Sequence, residues 1–81
     1  MDYWKGNFTI QVGAFQVKEN ADQYRDKLSK TYPNTHITEF TDDRGTFYRV
    51  RIGQFTNLQD AIRHSEKMIE QGYGNIFTVA E

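Results

Sequence analysis

The chain has no cysteine, a single proline and no long apolar run. Without cysteine there is no disulfide, no thiolate metal site and no cysteine nucleophile. The redox compartment stays open, because such a domain suits cytoplasm and periplasm alike. No stretch approaches the ~20 apolar residues of a membrane-spanning helix, so direct membrane insertion is not expected, and no signal-peptide pattern is present. Neither sign of charge dominates: ten Lys and Arg against eleven Asp and Glu leave a net charge of −1. A surface built to neutralise phosphates is normally basic, so nucleic acid is disfavoured as a partner. The two histidines, His36 and His64, fall on different elements with no second nitrogen or thiolate at ligand spacing, which argues against a metal site. Ser29 and Ser65 lack a His–acid partnership, and Gly13 and Gly53 lack the clustering that cradles phosphate. A non-catalytic protein without a cofactor is expected.

What is present is a compact, aromatic-rich chain. Its 81 residues suit one domain, and a chain of this size buries only about 60% of its unfolded surface. One Trp, five Tyr and six Phe exceed what so small a core needs, so some rings are expected at the surface, where they can bind. Residues 1–7 read as a tail or linker and 8–81 as a single domain. Met1 is followed at once by polar and aromatic residues, as expected of a start placed ahead of a domain excised from a larger protein; Trp4 is a candidate addition to the surface. The stop at Glu81, just after the last expected strand, suits a C-terminal position in a parent protein.

An internal repeat recurs at a spacing of 40. Ile10-Gln11-Val12-Gly13-Ala14-Phe15 matches Val50-Arg51-Ile52-Gly53-Gln54-Phe55, and Ala21 and Leu28 match Ala61 and Met68. Each half reads as strand, Gly-x-Phe corner, helix. The first strand is expected over 8–13, with Phe8, Ile10 and Val12 alternating against Thr9 and Gln11. A helix over 18–32 carries the stripe Ala21, Tyr24, Leu28, Tyr32; its start lacks a good cap, and Pro33 and Asn34 end it. A second strand over 35–41 leads through the turn Asp42-Asp43-Arg44-Gly45 to a third over 46–53. Thr56 and Gln59 have capping-box spacing for a second helix, whose inner stripe is Leu58, Ala61, Ile62, Ser65, Met68 and Ile69. Gly72 is placed to end it in a left-handed cap, and the last strand covers 75–80. The order β-α-β-β-α-β, with right-handed crossovers, gives an α+β ferredoxin- or RNP-like arrangement. In it a four-stranded antiparallel sheet, strands one and three central, carries both helices on one face and leaves the other uncovered.

Alternation then assigns the open face. If Phe8, Ile10, Val12, Tyr48, Val50 and Ile52 point to the helices, Thr9, Gln11, Phe47, Arg49 and Arg51 point away. An aromatic ring can stack on the apolar face of a sugar, Gln offers donor and acceptor to an acetamido group, and Arg binds a carboxylate bidentately. The alternative for Arg49 and Arg51 is pairing with Asp or Glu across the sheet, and for Phe47 sheltering the hairpin.

The stretch from Phe8 to Phe15, then Ala21 and Leu28, then Phe47-Tyr48-Arg49-Val50-Arg51-Ile52-Gly53-Gln54-Phe55 with Ala61, resembles the SPOR domain, the sporulation-related repeat of bacterial cell-division and cell-wall proteins. The likeness covers about residues 8–80. It implies a non-catalytic domain that binds peptidoglycan glycan strands denuded of stem peptides. Such a domain targets its parent to the division septum or cell wall, which places it in the cell envelope, outside the cytoplasm, as a monomeric module of a larger protein. Parents of such domains include division proteins, amidases and rare-lipoprotein-A-type lytic transglycosylases. Carried over by position, the family's functional Gln is Gln11, its strand-three aromatic, commonly Trp, is Phe47, its strand-three Arg is Arg49, and a hydrophobic residue of its last strand is Phe77. Where relatives often carry Ser, this chain has Ala14, left with backbone or methyl contact. With Thr9 and Arg51 these make up the expected glycan-binding set.

The main rival is an RNA-recognition-type module of the same topology. Arg44-Gly45 and Tyr48 match that family's strand-three signature, but most other positions fail, and Tyr48 falls on the buried parity. An acyl-phosphate hydrolase would need a phosphate-cradling loop that Gln16-Val17-Lys18 does not supply. A protein-binding module using the sheet face or edge is the third alternative.

Overall fold

The computed structural model describes residues 5–81, so the expectations for Met1 and Trp4 lie outside the described residues. The elements are β1 (Lys5–Phe15), α1 (Lys18–Ser29), β2 (His36–Asp42), β3 (Gly45–Asn57), α2 (Leu58–Glu70) and β4 (Phe77–Ala80). The sheet order is β2-β3-β1-β4 with every neighbour antiparallel, so the two longest strands lie at the centre, as the element order with right-handed crossovers implied. Ile10, Val12, Val50 and Ile52 of these strands pack with Ala21 and Leu28 of α1 and Met68 of α2. Each fully buried aliphatic side chain there contributes about 1.5–3 kcal/mol. Both helices thus sit on one face.

Helix α1 starts at Lys18 with Val17 at its N-cap and no side-chain cap bond. It ends at Ser29, three residues before the expected Tyr32, because Pro33 biases the residue before it away from helical geometry and Asn34 turns left-handed at φ 56°. Tyr32 instead donates its hydroxyl to Gln71 Oε1 at 2.9 Å, tying the two helix ends together. For α2 the cap is Asn57, not Thr56: its side chain accepts from the Gln59 amide at 2.8 Å, since β3 runs on to Asn57. Of the expected α2 stripe, Ala61, Ser65 and Met68 are buried, whereas Ile62 and Ile69 are exposed. They stand about 100° around the helix from Ala61 and Met68, beyond what the small sheet covers. Gly72 follows the helix at φ 105°, in the left-handed region as expected.

The β1–β3 pairing is interrupted by bulges, and these set the faces. Between Phe8↔Phe55 and Ile10↔Ile52, β3 carries an extra residue, and Gly53 absorbs the bend at φ 78°. Between Gln11↔Arg51 and Gly13↔Val50 the extra residue is in β1. A Cβ on Gly53 would lie 2.6 Å from Cε2 of Phe55. Gly53→Ala is therefore expected to cost about 1–3 kcal/mol, read as a lowered urea midpoint. Gly74→Ala meets nothing within 4 Å and should stay within about 0.5 kcal/mol of the parent.

Candidate functional site

Cross-strand partners share a face, so the register builds the open side in rungs. His36, Arg51, Gln11 and Phe77 form one rung across all four strands; Thr38, Arg49 and Ala14 form the next; Phe40 and Phe47 the third. Strands lie ~4.8 Å apart and same-face rungs ~7 Å apart, so these side chains make one continuous surface. Gln11, Phe47, Arg49 and Phe77 lie on it as expected, and Phe77 is 52% exposed. Ala14 is also on it, but strict alternation from Gln11 would have turned it inward. The β1 bulge reverses the parity, pairs Ala14 with Arg49 and leaves Phe15 to pack on Tyr24, ring centroids 5.5 Å apart.

Two of the expected residues are covered rather than exposed. Thr9 is fully buried, and its hydroxyl proton is directed at the carbonyls of Ile52, 3.0 Å away, and Gly53, 2.8 Å away. The β3 bulge takes those carbonyls out of the regular ladder, and Thr9 supplies the missing donor. Arg51 is likewise covered, its side chain 9% exposed. Its Nη1 donates to Glu81 Oε2 at 3.2 Å, and its Nε and Nη2 approach Gln11 Oε1 at 3.4 Å. Pairing with an acid across the sheet is thus the outcome for Arg51. Arg49 has a different one: its guanidinium lies over the Phe40 ring, 4.1 Å from the centroid. Arg44 similarly lies 5.3 Å from the Phe47 centroid while gripping Asp42 through Nε and Nη2. That grip, with the Arg44 backbone amide, holds the Asp42 carboxyl below its usual range. Tyr48, which base stacking would need exposed, packs against the core.

His36 closes a polar chain over the sheet. Its Nδ1 lies 2.8 Å from the Asn34 carbonyl and its Nε2 2.8 Å from Glu81 Oε2. Both partners accept, so the ring satisfies both only when it carries both protons. Burial pushes the Glu81 carboxyl upward, but hydrogen bonds from His36 and Arg51 outweigh it and hold the group below its ordinary 4.5. His36, Thr38, Phe40 and Glu81 were not singled out from sequence. The first three were accessible through the two-residue turn Asp43-Arg44, which pairs Asp42 with Gly45 and carries the register back to His36↔Arg51. Glu81 gave no sequence signal.

The family model of the SPOR domain matches residues 5–78, and the chain belongs to that family. The endolytic peptidoglycan transglycosylase RlpA of Yersinia pestis is 25% identical over 75 residues, which cover 93% of this chain and 20% of the relative. The chain therefore spans about a fifth of the length of that curated relative. Among solved structures, the RlpA SPOR domain from Pseudomonas aeruginosa shares the fold with a TM-score of 0.73 at 23% identity, over 94% of this chain and 100% of that one. The peptidoglycan binding domain of the B. subtilis cell wall lytic enzyme CwlC aligns with a TM-score of 0.64 at 26% identity, over 100% of this chain and 96% of that one.

Thr9→Val keeps the shape but removes the hydroxyl, leaving two buried carbonyls without it; a loss of about 1–3 kcal/mol in denaturant unfolding is expected. A carboxyl held below its ordinary value in the folded state stabilises the fold above the unfolded pKa, and that contribution fades as pH falls through the folded pKa. For Glu81 the window lies at and below 4.5. Stability of Glu81→Gln should accordingly fall less steeply than that of the parent on acidification through this range, as measured by urea unfolding at stepped pH.

Proposed function

We propose that this domain binds peptidoglycan without catalysing its cleavage, taking glycan strands on the open face of the sheet and preferring strands stripped of their stem peptides. The observation that carries this reading is the convergence of the exposed Phe40 and Phe77 rings and the half-buried Phe47 with an amide and a guanidinium on one face of the sheet. Phe47, Phe40 and Phe77 offer apolar faces to the C–H surfaces of sugar rings. Gln11 offers an acceptor and a donor to an N-acetyl group, and Ala14 contributes backbone or methyl contact beside Arg49. Arg49 is placed to meet an anionic group. Stripping the peptide leaves a lactyl carboxylate on each muramic acid, a target that a guanidinium binds through charge-assisted bonds. Thr9 acts here only by fixing the bulge, and Arg51 is paired with Glu81 and approaches Gln11 in the free domain. Membership of the SPOR family supports this reading, as does the likeness to a CwlC domain described as peptidoglycan binding. One rung of this face runs across all four strands, a span suited to a long polymer rather than a small enclosed substrate. Its role in a parent protein is then targeting: as a monomeric module it carries that protein to the cell envelope and concentrates it at the division septum, where stripped strands accumulate.

Co-sedimentation with purified sacculi, before and after amidase removes the stem peptides, tests this. Binding should rise with stripping and weaken about 10- to 100-fold in Gln11→Ala and Arg49→Ala, and measurably in Phe47→Ala, with folding checked by circular dichroism. Equal binding by all three variants would remove this face as the site. No response to amidase would remove the preference for stripped strands.

A further inference from the structure

The rung through Arg51 holds a ligand-like group that the chain itself supplies. Oε2 of Glu81 accepts from Arg51 Nη1 of β3 at 3.2 Å and from His36 Nε2 of β2 at 2.8 Å. The other guanidinium contacts, to Gln11 Oε1 at 3.4 Å, are long for N–H···O bonds. The carboxylate is therefore the strongest partner of a cation that is only 9% exposed, and a cation so placed is costly without an anion. The group filling this seat stands just past the last strand, at the edge of the sheet. Glu81 lies one residue beyond β4, its amide donates to Asn7 O at 2.8 Å, and its side chain is 30% exposed. It also borders an open cavity of about 400 Å³ lined by Asn7, Phe8, Gln54, Phe55 and Thr56, which offers a displaced side chain somewhere to go.

We propose that Arg51 and His36 form a carboxylate-binding subsite that Glu81 occupies as an internal surrogate, and that a ligand carboxylate takes the seat by displacing Glu81. Replacing one carboxylate with another keeps the covered guanidinium paired in both end states. A neutral group in its place would leave the cation unpaired, so the seat selects for charge. On the glycan face proposed above, which this assignment of the ligand rests on, the incoming group is the lactyl carboxylate of N-acetylmuramic acid. A muramic acid that still bears its stem peptide presents an amide at that position and cannot make the exchange. Gln11 and Phe77 on the same rung would then hold the sugar to which the carboxylate belongs.

The seat and the ligand are tested separately. In Glu81→Ala, sodium acetate should raise the melting temperature by about 2–5 °C beyond sodium chloride at matched ionic strength. The parent chain should show no such difference, and the added change His36→Gln should reduce the gain. If Glu81→Ala does not fold, acetate titration of Glu81→Gln followed by NMR should shift the His36 ring and Arg51 Nε signals. Absence of any acetate-specific effect overturns the subsite. For the ligand, a muramic-acid-containing oligosaccharide should bind Glu81→Gln about two- to tenfold more tightly than the parent, because the internal competitor is gone. The same oligosaccharide with its lactyl group amidated should show no gain. Equal or weaker binding of the acid form by Glu81→Gln overturns displacement. Acetate rescue with no oligosaccharide binding to either protein sustains the subsite and overturns the glycan reading alone.

Discussion

The antiparallel pairing of β1 with β3 is the constraint on which the rest of the molecule depends. These two strands supply the sheet's share of the core through Ile10, Val12, Val50 and Ile52, and they also supply Gln11, Ala14, Phe47, Arg49 and Arg51 on the opposite side. One backbone ladder thus decides simultaneously what is buried and what is offered. Two of its three register shifts do most of the shaping: the extra residue in β1 between Gln11 and Gly13 brings Ala14 round to Arg49, and the one in β3 calls for Thr9 as an internal donor. A bulge re-aims side chains at the expense of local pairing, and here each bulge has an identifiable beneficiary.

The duplicated half-units remain visible in packing as well as in sequence. Phe15 meets Tyr24 and Phe55 meets His64, with ring centroids 5.5 and 5.4 Å apart, and the two pairs are related by the same spacing of 40. Where the first half uses a phenol, the second uses an imidazole whose Nδ1 is buried with no partner among the described residues. The glycines have diverged further. Gly13 keeps an ordinary backbone while Gly53 adopts a positive φ, so equivalent corners in sequence are not equivalent bends.

Element order, the central strand pair, the turn at Asp43-Arg44 and the buried Ala21, Leu28, Ala61 and Met68 were legible because alternation and helical spacing report directly on burial. Gln11, Phe47 and Arg49 followed from the same parity. What escaped was whatever needed exact register. A bulge shifts every later side chain to the other face, and in Gln11-Val12-Gly13 only the glycine hints at one, without fixing its place. Ile62 and Ile69 look like core by composition but fall outside the sheet's footprint. The burial of Arg51 depends on Glu81, thirty positions away, a contact that no local pattern encodes.

The short lever on which the Glu81 carboxylate hangs has a kinetic consequence. A displaced group that stays covalently attached remains at millimolar effective concentration beside its seat, ready to return whenever the occupant loosens. On the displacement proposed above, departure of a bound strand is assisted by the protein itself, and residence time becomes short relative to affinity built over many shallow contacts. A module working by that proposed exchange would hold its cargo near a polymer lattice while letting it step from one repeat unit to the next.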